Sequence, residues 1–330
     1  MQHSKVVLLT DKFSQEALLT LQAQPGLLIR RSAGPSLEHE NLDEVHALII
    51  RSRTVIDEAL FARAKKLQVI ITTTSGFDHI DLQAAARWGV TVMFTPEANV
   101  ESAAQLTWAL VLSCAHQISN AGKAVKSGEW RRELLTGLEL DHLTYGVVGL
   151  GRIGSRVAEI AQAFGMRVLA YDPYIEDADF RAVAAERVAF EEILKRSDVL
   201  SFHVPATEET HHMLNRAQFE YIHRGILLVN TSRGSVIHEE DLVEALRLGY
   251  VGAAGLDVFA KEPLARTSNL LSLPNVTLTP HVGANTEAAF QKASDQAALK
   301  LLRFFTDGST SDTLPPKAAW YGARLPFRES

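Results

Sequence analysis

Residues 144–172 read TYGVVGLGRIGSRVAEIAQAFGMRVLAYD. The apolar run Tyr145–Val148 predicts a buried strand, and it feeds straight into GLGRIG at 149–154. Helical periodicity follows, with Ile153, Val157, Ile160, Ala161 and Phe164 on one face. A second apolar run, Arg167–Tyr171, ends in Asp172. Strand, glycine turn, helix, strand and terminal acid together make a βαβ unit with a dinucleotide fingerprint in its first turn. Gly149 makes the tight turn, Gly151 lets backbone approach a pyrophosphate, and Gly154 lets helix and strand pack closely. The phosphates then lie at a helix N-terminus, where unpartnered N–H groups point at them. Asp172 follows at the distance, about 20 residues, where a carboxylate takes the adenosine ribose hydroxyls. A glycine-rich turn of some other α/β protein would leave Asp172 unexplained. A carboxylate there repels a 2′-phosphate, so NAD rather than NADP is the expected cofactor.

Length and composition frame that unit. A chain of 330 residues has room for two domains of ordinary size. It is 46% hydrophobic and 22% charged, as expected of a soluble enzyme. A net charge of −6 gives no electrostatic case for nucleic acid or an anionic membrane. The single cysteine, Cys114, excludes an internal disulfide and a CxxC site, and its apolar helical setting reads as an inert core thiol. No apolar run reaches membrane-spanning length, and the opening MQHSKVVLLTDKF reads as a strand rather than a signal peptide. A cytoplasmic location is expected.

Along the chain, residues 5–9, 27–29, 47–51, 67–72 and 90–94 read as strands, with helices at 14–21 and about 57–65. Strands alternating with helices imply a parallel sheet. Residues 100–126 read as one long helix crossing to a second domain, and 128–138 as a charged connection. Beyond the fingerprint, 198–203, 226–230, 251–256 and 276–279 read as strands, giving that domain six, and 190–195 and 239–248 as helices. A last helix, 286–306, would return to the first domain if it crosses back, and the tail 307–330 shows no clear period. The expected architecture is α/β, two doubly wound parallel-sheet domains: a flavodoxin-like substrate domain (1–100 plus 286–330) and a Rossmann NAD-binding domain (101–285).

Three loops after second-domain strands hold unusual polar residues: NTSRG with Arg233, GLDVFAKEP with Asp257 and Glu262, and LTPHVGANT with His281. Ligands of open α/β sheets bind at the carboxyl ends of strands, so Arg233, Glu262 and His281 can converge on the nicotinamide end of a bound cofactor. Oxidising a 2-hydroxy acid removes a hydroxyl proton while hydride leaves the carbon. A histidine takes that proton near neutral pH, and a carboxylate beside it raises its pKa and orients it. An arginine grips the substrate carboxylate with two charge-assisted bonds. Taken singly, Arg233 reads equally as a turn residue, Glu262 as a solvated loop acid and His281 as a helix cap.

With these motifs in view, the chain resembles the D-isomer-specific 2-hydroxyacid dehydrogenases over nearly its whole length, through SGFDHIDLQAAARWGVTV, GLGRIG, NTSRG, DVFAKEP and TPHVGANT. The resemblance implies catalytic Arg233, Glu262 and His281, with Asp257 near the nicotinamide amide. It implies that the loop Thr74–Phe77, Ser75 and Gly76 included, offers N–H groups to the substrate carboxylate. It implies that His203, Val204, Pro205, Thr231, Ser232, His281 and Gly283 line NAD, and that Arg152 and Ile153 give amides to its pyrophosphate. It also implies a homodimer joined through the crossover-helix region, a small 2-hydroxy or 2-oxo acid as partner, and no metal.

Within that family, LIIRSRT, WRRELLTGLEL and the fingerprint unit look similar to the phosphoglycerate dehydrogenases of serine synthesis. Arg51 and Arg53 would then bind a substrate phosphate, unless they are surface charges after a strand. The chain departs from the family where SGFDHID replaces the commoner GVDNID and Gln105 replaces a usual glutamate. No extra regulatory domain, and so no serine feedback through one, is expected. A hydroxypyruvate or glyoxylate reductase is the alternative within the class. In another class, the C-terminal-binding-protein corepressors share the fold and the trio, but a short tail argues against them. The pair His211–His212 is expected to be a solvated loop pair rather than a metal site.

Overall fold

The computed structural model describes residues 4–130 and 136–317, which form two compact units. One unit is built from both ends of the chain, up to Asn99 and again from Ala284; the other runs from Val100 to Gly283.

The first unit opens with β1 (Lys5–Leu9), α1 (Gln15–Gln22), β2 (Leu27–Arg31), β3 (Val45–Ile50), α2 (Glu58–Arg63), β4 (Val69–Thr72), α3 (Leu82–Arg87) and β5 (Thr91–Phe94). All three helices start from a side-chain cap: Ser14, Asp57 and Asp81 each accept a backbone N–H of the first turn. The five strands pair in parallel in the order β2-β1-β3-β4-β5, a flavodoxin-like order with the sequence reversal beside β1. Their side chains alternate between two apolar layers. Leu8, Leu48 and Ile70 face α2 and α3 residues, whereas Leu9, Ile49 and Ile71 meet Leu18, Ala297 and Leu301.

The second unit contains α4 (Val100–Ala115), α5 (Ile118–Lys126), β6 (Thr144–Val148), α6 (Arg152–Ala163), β7 (Arg167–Tyr171), α7 (Asp177–Ala182), β8 (Glu186–Arg187), α8 (Phe190–Arg196), β9 (Val199–Phe202), α9 (Arg216–Phe219), β10 (Ile226–Asn230), α10 (Glu239–Leu248), β11 (Val251–Leu256) and β12 (Val276–Leu278). The parallel sheet runs β12-β11-β10-β9-β6-β7-β8. Counted from β6, this is the doubly wound order of a dinucleotide domain with one further strand. The direction of winding reverses between β6 and β9, whose carboxyl ends adjoin the glycine turn. The chain then returns to the first unit as α11 (Glu287–Asp307), capped by Thr286, and β13 (Thr313–Leu314), antiparallel to β5.

Two expectations are corrected here. Among the described residues the sheet has seven strands, not six, because Glu186–Arg187 pairs with β7; both residues are exposed and charged, so no apolar run marks them. The long helix of 100–126 is two helices. Gln117 turns the backbone into the left-handed region at φ 50°, and Leu138 N–H caps the carbonyl of Ala115. The break separates α4, which buries Trp108, Val111 and Cys114 among others, from α5, which buries nothing. Phe164, expected on the inner face of α6, ends that helix partly exposed, yet it stacks on Trp108 at 4.6 Å. In the tail, Thr313–Leu314 is a strand, and 318–330 lies outside the described residues, as does 131–135 of the WRRELLTGLEL motif.

Candidate active site

The glycine turn is shaped by close approach. Gly149 adopts φ +90°, and a Cβ there would lie 2.9 Å from the His203 carbonyl and 2.8 Å from the Val204 side chain. A Cβ on Gly154 would lie 2.0 Å from the Gly149 carbonyl oxygen. At Gly151, by contrast, a Cβ would meet nothing within 4 Å, and no side chain caps α6. That helix begins at Arg152 and Ile153 with open space before it, which suits a pyrophosphate. Asp172 closes the far side: its carboxylate accepts Leu150 N–H at 3.0 Å and Tyr174 N–H at 3.0 Å. The backbone at Gly151 and the carboxylate at Asp172 therefore fit a dinucleotide.

The neighbouring loops are equally ordered. His203 bonds Ser201 Oγ through Nε2 at 2.9 Å, and burial pushes its pKa down to about 3, so its ring is neutral. Pro205 carbonyl accepts Thr210 Oγ1 at 2.6 Å. Thr231 Oγ1 meets Thr107 Oγ1 at 2.8 Å. The buried Asn230 accepts both the N–H and the hydroxyl of Ser232 and donates to the Arg233 carbonyl at 2.9 Å. That Asx turn shapes the NTSRG loop.

Three loops bring the trio together. Gly234 packs its α-carbon against the Phe259 peptide, where a Cβ would lie 1.9 Å from the carbonyl carbon. The loop carrying Arg233 is thereby pressed against the loop carrying Glu262. Glu262 Oε1 accepts Phe259 N–H at 3.1 Å, and Oε2 accepts His281 Nδ1–H at 2.7 Å. His281 sits at φ 52°, an unfavourable region for a residue with a side chain. Asp257 holds it there. Its carbonyl accepts His281 N–H at 2.9 Å, and its buried carboxylate accepts Thr279 Oγ1, Val282 N–H and Gly283 N–H at 2.6, 2.8 and 2.9 Å.

The electrostatics follow from this geometry. The bond to Glu262 raises the His281 pKa above its ordinary 6.5, against burial and the nearby Arg233 charge, which lower it. Burial pushes Glu262 up, but the His281 bond and charge, the Phe259 amide and the Arg233 charge outweigh it and hold the carboxyl below its usual value. With Nδ1 committed to a carboxylate, Nε2 is the nitrogen left to exchange a proton. Arg233 itself donates from Nη1 to the Ser232 carbonyl at 2.7 Å.

In the first unit, Ser75 Oγ accepts Asn99 Nδ2–H at 3.1 Å, and the Gly76 carbonyl accepts Thr74 Oγ1–H at 2.7 Å. Arg51, Thr73, Thr74, Ser75, Thr95 and Asn99 line a narrow pocket with Phe290, whose ring faces the Arg51 guanidinium at 5.5 Å. Arg53 does not line it. It forms a two-pronged ion pair with Asp11, Nη2 to Oδ1 at 2.8 Å and Nε to Oδ2 at 3.1 Å. Neither Asn230 nor Thr279 nor Asp11 stood out in the sequence. Asn230 and Thr279 lie in the quoted NTSRG and TPHVGANT motifs at strand ends without a role being legible, and nothing local marked Asp11. The His211 and His212 rings lie 3.8 Å apart, tilted by 35°, and among the described residues no group of three ligating side chains could hold a metal ion. Cys114 is buried, and burial raises its thiol pKa. Among the described residues, no helix is long and apolar enough to cross a membrane.

Comparison with known proteins gives concordant matches. The family described as D-isomer specific 2-hydroxyacid dehydrogenase, NAD binding domain, matches residues 108–283. The chain is 40% identical over 264 residues to a hydroxypyruvate reductase of Thermotoga maritima, covering 79% of this chain and 85% of that one. It is 38% identical over 285 residues to a D-3-phosphoglycerate dehydrogenase of Archaeoglobus fulgidus, covering 86% of this chain and 54% of that one. It thus spans about half the length of the phosphoglycerate dehydrogenases it matches. Among solved structures, D-lactate dehydrogenase from Aquifex aeolicus, complexed with NAD and lactic acid, is similar with a TM-score of 0.81 at 30% identity, covering 92% of this chain and 96% of that one.

Proposed function

The chain belongs to the D-isomer-specific 2-hydroxyacid dehydrogenases, and from that membership we propose that it exchanges a hydride between a D-2-hydroxy acid and NAD. The observation that carries the reading is the 2.7 Å bond between His281 Nδ1 and Glu262, beside the charge of Arg233. Gly149, Gly151, Arg152, Ile153, Gly154 and Asp172 would hold the pyrophosphate and ribose, and His203, Val204, Pro205, Thr231, Ser232, Asp257 and Gly283 the rest of the dinucleotide. NAD, when bound, supplies the hydride acceptor. His281 Nε2 takes the hydroxyl proton of the acid in oxidation and returns it in reduction. Glu262 holds the ring in the tautomer with Nε2 free and stabilises the imidazolium. Arg233 pairs with the substrate carboxylate and polarises the oxo group in reduction. In the same reading the first-unit loop that holds Ser75 and Gly76 would offer its N–H groups to a carboxylate.

The substrate class we favour carries a second anionic group, as D-3-phosphoglycerate does. The LIIRSRT motif, the Archaeoglobus relative and the pocket beneath Arg51 support it. Reduction of hydroxypyruvate or glyoxylate is the second reading, favoured by one observation: Arg53 is already paired with Asp11. A cytoplasmic homodimer serving serine synthesis is the fuller form of the first reading. The exposed Ile118 and Val125 of α5 and exposed Trp130 support self-association. The test is NAD reduction with D-3-phosphoglycerate, D-glycerate and D-lactate, beside NADH oxidation with hydroxypyruvate and glyoxylate. Preference for the phosphorylated acid supports the first reading. Preference for the unphosphorylated acids supports the second, and silence across the panel overturns both.

A further inference from the structure

We propose that Asp11 determines which acids this enzyme prefers, by holding Arg53 away from the pocket that Arg51 lines. The inference rests on the reading of that pocket as the site of the substrate's second anionic group.

The two arginines start from one turn. Thr54 N–H bonds the Arg51 carbonyl at 3.0 Å, so Arg51 opens the turn and Arg53 sits inside it. Their guanidinium groups go to different partners. Arg51 lies over the Phe290 ring at the pocket wall. Arg53 is clamped by Asp11, the second residue after β1, with contacts of 2.8, 2.9 and 3.1 Å. The clamp is anchored on its acidic side. The Asp11 side chain is only 7% exposed, and it accepts Lys12 N–H at 2.7 Å. Next to it, the buried Thr10 and Thr54 hydroxyls bond at 2.7 Å and tie the two loops together. The Arg53 side chain, by contrast, is 66% exposed and long enough to turn elsewhere once released.

The consequence is chemical selectivity. One planar guanidinium matches one carboxylate with two parallel bonds. A phosphate monoester carries nearly two charges and three acceptor oxygens, more than one guanidinium can satisfy. Asp11 withholds the second guanidinium, so Arg51 alone faces the substrate's second anionic group. It is a positioning residue: it acts through Arg53 and touches no substrate.

The test compares wild type, D11N, R51A and the double variant D11N/R53A. The readout is the ratio of KM values for D-3-phosphoglycerate and D-glycerate. D11N is expected to shift that ratio about fivefold toward the phosphorylated acid, the contribution of one half-exposed ion pair. The double variant D11N/R53A, which removes both charges of the clamp, is expected to return to the wild-type ratio. R51A is expected to weaken the phosphorylated acid selectively. A D11N ratio equal to wild type, or a double variant that keeps the D11N ratio, overturns the proposal. A second readout is the thermal shift produced by inorganic phosphate in the same proteins. It is expected to be larger in D11N than in wild type and to disappear in D11N/R53A; equal shifts overturn the proposal even if the wild type turns over no acid. Absence of turnover overturns the dehydrogenase reading, whereas an unaltered R51A overturns the pocket assignment and this proposal with it.

Discussion

Glu262 Oε2 and His281 Nδ1 lie 2.7 Å apart, and this bond raises the imidazole pKa above 6.5 while burial and Arg233 oppose it. The direction fixes the pH dependence. Oxidation needs the neutral ring, so its kcat/KM falls as pH drops through the raised pKa. Reduction needs the imidazolium, so its kcat/KM falls as pH rises through the same value. Glu262→Gln removes the partner that raises the pKa, and both profiles move to lower pH. Profiles recorded in both directions check this; unmoved profiles contradict it.

Gly234→Ala places a methyl where the Phe259 carbonyl carbon lies 1.9 Å away. The loops carrying Arg233 and Glu262 must then separate. The expected cost is about 1–3 kcal/mol of stability, the range for overpacking, together with a large fall in kcat. Thermal unfolding and turnover measured on one preparation check it; an unchanged protein by both measures rules out the backbone contact.

Asp257→Asn replaces a carboxylate that accepts from Thr279, Val282 and Gly283. An amide NH2 must then face one of those donors, at a cost of about 1–3 kcal/mol for the buried group left unpaired. His281 loses its anchor, so kcat falls and the melting temperature drops. If Asp257 served the cofactor alone, the KM for NAD would rise with the melting temperature unmoved.

The fold was legible where side-chain pattern and burial coincide. The two strands of the fingerprint unit read almost as they stand, because Tyr145–Val148 and Val168–Ala170 are apolar runs buried on both faces. Glu186–Arg187 was not legible, since two exposed charges at a sheet edge carry no periodicity. The break at Gln117 was hidden because Ile118 and Val125 continue the apolar pattern although α5 buries neither. In the candidate site, the polar side chains of Arg233, Glu262 and His281 stood out in otherwise apolar or glycine-rich loops. What positions them did not, because each case is a contact across the chain: Gly234 on Phe259, Asp257 on the His281 loop, Asp11 on Arg53.

Asp172→Ala removes the carboxylate that accepts Leu150 and Tyr174 N–H groups beside the glycine turn. The KM for NAD is expected to rise by roughly tenfold, the lower value of one hydrogen bond to a charged group, and discrimination against NADP to weaken. Paired kinetics with NAD and NADP check it; an unchanged ratio argues against contact with the ribose.

The most direct test of the account is NAD reduction by wild type and His281→Ala with D- and L-isomers of the preferred 2-hydroxy acid. NADH is expected from the D-isomer alone, with a drop of about 10²–10⁴-fold in kcat when His281 is lost, the usual worth of a general base. Turnover of the L-isomer, or a His281→Ala enzyme as fast as wild type, contradicts the account.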